Sequence, residues 1–588
     1  MQIAARLGTP LVLSLVLFGA GVRAQGRTID DFFRTFAAEW VRGNPNQAVS
    51  TRYLSGPEQE PLERELTPVS GDWQRGRIQL AARGLAELRR FDRASLTAAQ
   101  RTAAELLDWQ LDTVVRGDAY LDYAFPLEQF GGVNVSLVTA LTVSHPVRSA
   151  RDADNYLARL GQVSARMAEA VAEARRLEAA GVLPPRFILR ATIAQMQRFI
   201  APAPAENPFV TTLDERLAAV PEVTPGRRAA LVVDAARLVE TQVYPAWRAA
   251  IDFLTNQMAR ASDDAGLWRF PRGAEAYAYH LRRHTTTTLT ADEIHAIGLR
   301  EVARIEAEMD AILRRLGRME GSVNARVERL RKDLGYPLTE EGRSAVLSDI
   351  DRLMRDAERR AALLFDRQPR APVVAQAAPR FREATAAASY NAPPLDGSRP
   401  GIFQIPLRPE RMTSFGLRTL VYHETVPGHH FQVALDLENT AQPLFRRVRL
   451  FGGITALTEG WALYAERLAA ESGWYENDLE GQLGYLDAQL FRARRLVVDT
   501  GIHAKRWTRE QAIAYGIEAS EVERYVVNPG QACAYMIGQL RLIELREKAR
   551  RALGDRFSLK DYHTAVLAAG TLPLDMLERA VEGYISSH

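Results

Sequence analysis

The sequence predicts a mainly α-helical fold. Long stretches rich in Ala, Leu, Arg and Glu have helical periodicity, and the alternating apolar pattern of strands is scarce. Several stretches begin with a capping box, in which Ser or Thr is followed three residues later by an acid or an amide. The predicted helical stretches are 86–116, 149–180, 226–260, 291–316 and 344–365, and the capping boxes are Thr97–Gln100, Thr290–Glu293, Thr508–Gln511 and, in a weaker form, Ser558–Asp561.

Length and charge indicate a large enzyme rather than a nucleic acid-binding protein. The chain has 588 residues, of which 47% are hydrophobic and 25% charged, so it can bury an extensive core in two to four lobes. The formal net charge is only +3, and positive and negative residues are interspersed. We therefore expect no nucleic acid partner.

The N-terminus has the features of a cleavable signal peptide. Arg6 precedes an apolar stretch at 11–22, and the small residue Ala24 stands before Gln25 at a suitable cleavage site. We therefore expect residues 1–24 to be a signal peptide and the protein to be periplasmic or secreted. The apolar stretch is shorter than the roughly 20 residues of a membrane span, and none later is long enough, so no span is expected in the mature chain. No Cys follows the apolar stretch, which disfavours a lipid anchor, and Cys533 is the only cysteine.

The segment 423–430, with the sequence H-E-T-V-P-G-H-H, holds three of the ten histidines. In zinc hydrolases two histidines bind the metal, and the glutamate after the first one takes a proton from the metal-bound water. Here His423 and Glu424 fit those roles, but Pro427 stands where the second histidine of H-E-x-x-H is expected. Proline and Gly428 interrupt a helix, so two residues can loop out and bring His429 to the position of the second ligand. His430 is the alternative second ligand.

The third ligand is expected from the segment 458–466, T-E-G-W-A-L-Y-A-E. Glu459 and Glu466 are seven residues apart, so on one helix they share a face about 10 Å apart, and only one can touch a single ion. Glu459 is the predicted ligand because zincins of this plan carry their third ligand on a later helix, here 30 residues after His429. Glu466 is the candidate for orienting a ligand histidine through its free N–H.

A short β element is predicted at Ile402–Leu407, between the glycine-containing turn at 397–401 and the zinc segment. As an edge strand it would let an extended peptide substrate add as another strand. Arg399, Tyr390 and Asn391 lie near it in sequence and are candidate substrate contacts, although a structural loop explains them equally well.

Taken together, these motifs resemble the bacterial domain-of-unknown-function 885 family. The resemblance covers most of the mature chain and is densest from about residue 270 onward. It is carried by H-E-T-V-P-G-H-H at 423–430, E-G-W-A-L-Y-A-E at 459–466, D-T-G-I-H at 499–503, P-G-Q-A-C-A-Y at 529–535, L-D-G-S-R-P-G at 395–401 and G-G-V-N at 131–134. The family is similar to helical zinc metallopeptidases such as thimet oligopeptidase and angiotensin-converting enzyme.

The resemblance implies a fold and further site residues. It implies a large two-lobed, zincin-like helical fold with a central cleft, which we divide into an N-terminal lobe at 25–270 and a catalytic lobe at 271–588. In the related peptidases a Tyr and a His downstream of the third ligand stabilise the oxyanion and hold the substrate carbonyl. Here His503 and Tyr535 match those motifs, and Tyr525 is the alternative.

The predicted function is that of an exported zinc metallopeptidase with one Zn²⁺ per chain, acting on short peptides. Glu424 is the predicted base for attack of a zinc-bound water on a peptide carbonyl. One alternative is a zinc hydrolase of another amide or an ester, since the same groups serve any acyl transfer. The other is a helical binding protein without catalysis, which an intact Glu424 disfavours because a binding module has no use for a base beside a metal.

Overall fold

The computed structural model describes residues 27–378, 383, 387–395, 397 and 399–588, and it is mainly α-helical. The N-terminal helices are α1 (Ile29–Arg42), α2 (Pro45–Thr51), α3 (Gly71–Leu88), α4 (Ala98–Gly117), α5 (Val133–Thr139), α6 (Ala150–Leu160), α7 (Val163–Ala179), α8 (Arg186–Phe199), α9 (Pro208–Leu217), α10 (Pro225–Leu238) and α11 (Tyr244–Met258). One turn of π-helix follows α5 at Ala140–Ser144, and another joins α10 to α11 at Val239–Val243. The predicted signal peptide at 1–24 lies outside the described residues.

The C-terminal part is also built from helices and contains one small sheet. The helices are α12 (Gly273–Thr285), α13 (Ala291–Arg315), α14 (Val323–Asp333), α15 (Glu340–Ala361), α16 (Leu417–Glu424), α17 (His429–Glu438), α18 (Leu444–Arg447), α19 (Thr455–Glu471), α20 (Leu479–Ala504), α21 (Arg509–Ala514), α22 (Ala519–Val527), α23 (Ala534–Leu553), α24 (Leu559–Ala569) and α25 (Leu574–Ser587). Among the described residues, no helix is both long and apolar enough to cross a bilayer.

Side-chain caps set several helix starts where the sequence predicts them. Thr97, Thr290 and Thr508 form capping boxes with both reciprocal hydrogen bonds, while Ser558 makes only the bond to the N–H three residues on. The helical stretch 86–116 contains the end of α3 at Leu88 and the start of α4 after Thr97, where the capping box predicts a helix start. The stretch 149–180 forms the two helices α6 and α7, and 226–260 forms α10 and α11 with the turn of π-helix between them.

Buried apolar side chains form several cores. One core lies wholly within residues 66–261, and the largest is built mainly from residues 267–584. Two smaller cores join residues from both sides of position 270, such as Phe33 with Phe445 and Ile188 with Val498. The predicted lobe boundary at 270 is therefore crossed by continuous packing.

The sheet has three strands, β1 (Val373–Ala377), β2 (Ser389–Asn391) and β3 (Gly401–Ile405), in the order β1-β3-β2. Strand β3 pairs in parallel with β1 and antiparallel with β2. The predicted β element is present, and it ends before Pro406, which has no N–H to donate. Its prediction as an edge strand is wrong, because β1 and β2 occupy both sides of β3. In the part of the chain that is described, β1 and β2 are the outer strands.

Helices α19 and α23 cross with their backbones in close contact. A Cβ atom added to Gly460 in α19 would lie 2.5 Å from the carbonyl carbon of Gly538 in α23. A Cβ atom added to Gly538 would lie 1.8 Å from the carbonyl oxygen of Ala456. Only glycine fits at either position, and the crossing supports the segment of α19 next to Glu459.

Candidate metal centre

The break between α16 and α17 places two histidines side by side. Helix α16 ends at Glu424, and α17 begins at His429 after four irregular residues that include a cis peptide bond before Pro427. The prediction of a bulge within one continuous helix is therefore corrected to a junction between two helices. The rings of His423 and His429 lie with their centroids 4.7 Å apart and nearly perpendicular.

Glycine is required at the junction because the chain folds back on itself there. A Cβ atom on Gly428 would lie 1.9 Å from the carbonyl oxygen of His423 and 2.3 Å from that of Tyr422. The indole Nε1 of Trp461 in α19 donates to the carbonyl oxygen of Pro427 at 2.8 Å. The junction is thus fixed against the helix that carries Glu459 and Glu466.

Three predicted ligands come together at this junction. His423, His429 and Glu459 each offer one donor atom, and these atoms all lie within 4.8 Å of one another. The carboxylate oxygen Oε2 of Glu459 is 3.4 Å from His429 Nε2 and 3.7 Å from His423 Nε2. Among the described residues, this is the one cluster of three such side chains that could hold a metal ion.

The distances within the cluster fit zinc better than direct hydrogen bonds. Two ligands of a tetrahedral zinc ion with bonds of about 2.1 Å are about 3.4 Å apart. A direct N–H···O bond has a donor–acceptor distance of roughly 2.7–3.2 Å. Two imidazole nitrogens and one carboxylate oxygen are also the donor set of catalytic zinc sites that keep a fourth position open. The donor set and its spacing therefore fit a zinc ion.

Glu466 hydrogen-bonds to His423 through the ring nitrogen that does not face Glu459. Its Oε1 accepts from His423 Nδ1 at 2.7 Å, and its Oε2 accepts from Gln489 Nε2 at 3.0 Å. Glu466 is fully buried. Burial alone would lower the pKa of His423, but Glu459 and Glu466 outweigh it and raise the pKa to about 9. The surroundings of this imidazole therefore favour a positive charge, whether a proton or a metal ion supplies it.

Glu459 has an environment suited to an ionised ligand. Burial would raise its pKa, but the neighbouring imidazoles of His429 and His423 outweigh burial and hold the pKa well below the usual range. A carboxylate that stays ionised next to two imidazoles is ready to bind a cation. Glu466, seven residues later, meets the other ring nitrogen of His423, so the two acids of the motif lie on opposite sides of this imidazole.

Glu424 is the last residue of α16 and follows the first ligand directly. Its side chain is buried, and in the described part of the chain its Oε2 has no hydrogen-bond partner. An unpaired buried carboxylate oxygen normally costs free energy, and a catalytic role or a bound ion or water is among the reasons for which one is kept. Glu424 therefore has a buried, unpartnered carboxylate oxygen on the residue that follows the first predicted ligand.

His430, the alternative second ligand, points elsewhere. Its Nδ1 lies 3.1 Å from the hydroxyl of Tyr390 in β2, and it is not part of the three-ligand cluster. Burial lowers its pKa to about 4, so it is neutral at physiological pH. Of the two histidines that follow Gly428, only His429 faces His423 and Glu459. Tyr390 itself contacts His430, so its hydroxyl is already engaged.

His503 is buried, and both ring nitrogens are bound to backbone. Its Nδ1 accepts from the N–H of Leu267 at 3.1 Å, so Nε2 carries the proton and donates to the carbonyl oxygen of Tyr525 at 3.0 Å. Burial lowers its pKa to about 4. These are the contacts of a structural histidine, and they correct its assignment as an oxyanion donor because no ring nitrogen is free for a substrate.

Tyr525, the alternative donor, is also fully engaged. Its hydroxyl donates to Glu521 Oε2 at 3.0 Å and accepts from Arg495 Nε at 3.1 Å. The side chain is fully buried, and burial raises its pKa above the usual range. Tyr525 therefore belongs to an internal polar cluster, and its assignment as a substrate contact is corrected.

Tyr535 remains the candidate for a phenolic donor. It is the second residue of α23, half-buried, and the guanidinium of Arg495 lies 4.4 Å from its ring centroid. Tyr535 lies one helical turn before Gly538, where α23 crosses α19. The residue of α19 at this crossing is Gly460, which directly follows Glu459. The helix crossing thus brings the start of α23 to the ligand end of α19.

The two other predicted substrate contacts lie near the sheet. Arg399 is exposed, and its guanidinium donates to the carbonyl oxygen of Pro400 at 3.1 Å. Asn391 is half-buried in β2, opposite Ile402 of β3. Neither belongs to the three-ligand cluster, so their roles as substrate contacts stay predictions.

The fold and the site together define a helical protein with a two-histidine, one-glutamate cluster at a helix junction. The chain belongs to the family described as bacterial protein of unknown function (DUF885), whose model matches residues 45–581. A solved structure from Colwellia psychrerythraea, described as a "putative lipoprotein", is 30% identical with a TM-score of 0.91, covering 96% of this chain and 100% of its own.

A second solved structure is similar in fold. It is a "putative lipoprotein of unknown function" from Shewanella oneidensis, 19% identical, with a TM-score of 0.68, covering 94% of this chain and 99% of its own. A comparison with curated proteins gave no match. The comparisons thus support the family resemblance drawn from the sequence motifs.

Proposed function

We propose that the protein is an exported zinc-dependent hydrolase that cleaves peptide bonds, most readily those of short peptides. The observation that carries this proposal is the cluster of His423, His429 and Glu459 with the unpaired carboxylate of Glu424 beside it. A purely structural zinc site is closed by four protein ligands, whereas three ligands and an adjacent base are the arrangement of catalytic sites.

His423, His429 and Glu459 would hold the metal. When bound, zinc would lower the pKa of a coordinated water to about 7 and polarise a carbonyl group. Glu424 would accept the proton of the attacking water and pass it to the leaving amine. Glu466 would keep His423 in one orientation through its bond to Nδ1. Tyr535 would donate a hydrogen bond to the oxyanion that develops on the substrate carbonyl.

Peptides are proposed as substrates because the sequence motifs resemble those of helical zinc metallopeptidases. An ester or another amide is the alternative, because the same base and donors serve any acyl transfer. Export is proposed from the N-terminal sequence and is supported by the lipoprotein description of two similar structures. Cell fractionation with N-terminal sequencing tests it: a periplasmic or secreted protein that begins at Gln25 is expected, and an intact N-terminus in the cytoplasm contradicts it.

The central experiment measures metal content and peptide cleavage on the same preparations. The purified protein is analysed for bound metal and incubated with a peptide library, alongside the variant Glu424→Gln. We expect about one zinc per chain in both proteins and a turnover at least about 100-fold lower in the variant, the usual contribution of a general base.

A matched control is Glu476→Gln, since Glu476 is an exposed glutamate outside the site. Its metal content and turnover should equal those of the wild type. Zinc far below one per chain in the wild type, or equal turnover by the wild type and Glu424→Gln, overturns the proposal. Cleavage of ester or non-peptide amide substrates in the absence of peptide cleavage favours the alternative substrate class.

A further inference from the structure

Helix α20 reaches the metal centre through a buried amide. Gln489 in α20 is 3% exposed, and its Nε2 donates to Glu466 Oε2 at 3.0 Å. The other oxygen of Glu466 lies 2.7 Å from His423 Nδ1. Gln489, Glu466 and His423 therefore form a chain of two hydrogen bonds that ends at a predicted metal ligand.

The direction of each bond follows from the chemistry of the carboxylate. Ionised Glu466 can only accept, so both Gln489 Nε2 and His423 Nδ1 must donate to it. A proton on Nδ1 leaves Nε2 as the nitrogen with a free lone pair in the neutral ring. Nε2 is the atom that faces Glu459 Oε2, at 3.7 Å. The chain of bonds thus selects the tautomer that a metal ion needs.

Glu466 depends on α20 for this role. A buried carboxylate is costly unless hydrogen bonds or charges compensate it. One turn after Gln489, the guanidinium of Arg492 lies 3.9 Å from Glu466 Oε1. The amide holds one oxygen, and the positive charge lies beside the other. Rotation of the carboxylate, which would misalign Oε1 with His423, breaks the bond to Gln489.

We propose that Gln489 is a positioning residue for metal binding, acting through Glu466 to hold His423 Nε2 towards the metal. The inference rests on the proposed zinc site and deepens it by extending the site to a fourth helix, α20. Gln489 contacts neither the metal nor the substrate. Its removal should weaken metal affinity while leaving the number of bound ions unchanged.

The test measures the zinc dissociation constant of the metal-free full-length protein by competition with a chromogenic chelator. Loss of a group that supports a ligand histidine typically weakens metal affinity by about 10- to 100-fold, and we expect about 10-fold for Gln489→Leu. Gln489→Met is a second variant without a donor, for use if the leucine variant does not fold. Thermal unfolding of the metal-free proteins reports on the fold separately.

A matched control is Gln539→Leu. Gln539 is also a buried amide that bonds to α19, but its Nε2 donates to the backbone carbonyl of Leu463 at 2.8 Å rather than to Glu466. It should cost similar stability and leave the zinc dissociation constant unchanged. Because Gln489 acts through Glu466, adding Gln489→Leu to Glu466→Ala should change the zinc dissociation constant by no more than about twofold.

The outcomes separate this inference from the proposed function. Wild-type protein that binds no zinc overturns both. If the wild type binds zinc and the zinc affinity of Gln489→Leu is no lower than that of Gln539→Leu, only the role of Gln489 is overturned. Full additivity of Gln489→Leu and Glu466→Ala also overturns it, because the two residues would then act independently.

Discussion

Gly428→Ala tests whether the junction between α16 and α17 sets the spacing of the two histidines. The added Cβ atom would lie 1.9 Å from the carbonyl oxygen of His423, whereas real Cβ contacts are essentially never shorter than 3.0 Å. The difference, 3.0 − 1.9 = 1.1 Å, is the least distance by which the backbone must move. That movement separates His423 from His429, because the clash is with the backbone of the first ligand itself.

A misplacement of about 1 Å at a catalytic site can cost about 100-fold in function, equivalent to about 2.7 kcal/mol. We therefore expect Gly428→Ala to weaken zinc binding by about 100-fold and to lower the melting temperature of the metal-free protein. The assay is zinc competition with a chelator, combined with thermal unfolding. Gly453→Ala is the matched control, because a Cβ atom there meets nothing within 4 Å. Zinc affinity of Gly428→Ala equal to that of the wild type would refute the reasoning.

Three further predictions concern single side chains. His429→Ala should lose zinc while His430→Ala keeps it, because only His429 lies in the three-ligand cluster; metal analysis decides, and the reverse pattern would reassign the second ligand. Tyr535→Phe should keep its zinc and lower kcat by about 100- to 1,000-fold, the usual cost of one oxyanion donor, and an unchanged kcat would exclude that role. Burial lowers the pKa of His503 from 6.5 to about 4, so its stabilisation is complete above pH 6.5 and is lost as the pH falls towards 4. This loss is on the order of 3 kcal/mol. Urea unfolding from pH 7 to pH 4 should therefore show a steeper loss of stability for the wild type than for His503→Gln, and parallel pH profiles would contradict it.

The pairing of His423 with His429 could be predicted because short-range sequence determines it, whereas Glu459, on a later helix, was chosen from the plan of other zincins. Pro427 and Gly428 interrupt the helix within the motif itself, and the spacing of Glu459 and Glu466 is a property of one helix. The exact form of the interruption, a junction rather than a bulge, depends on contacts from another helix. Trp461 donates a hydrogen bond to the carbonyl oxygen of Pro427, and no local sequence pattern predicts that bond.

The errors concern residues whose partners are distant in sequence. His503 belongs to a motif of the family, but its role is decided by Leu267, 236 residues away, and by the backbone of Tyr525. Only β3 is identified from the sequence, so its position between β1 and β2, which depends on strand pairing, could not be predicted. The role of Gln489 could not be predicted from the sequence, because a single glutamine in a helix is common and its partner Glu466 lies on another helix, α19.

The glycine crossing of α19 and α23 bears on how distant relatives of this chain should be recognised. The ligands alone form a short and common pattern, which many unrelated helices satisfy by chance. A chain with the same ligands but a larger residue in place of Gly460 or Gly538 would have to hold these helices further apart. Its α19 would then lie differently against the rest of the protein. A search for relatives should therefore require both glycines as well as the histidines and the glutamate. Such a search selects for the same helix packing and not only for the same ligand residues.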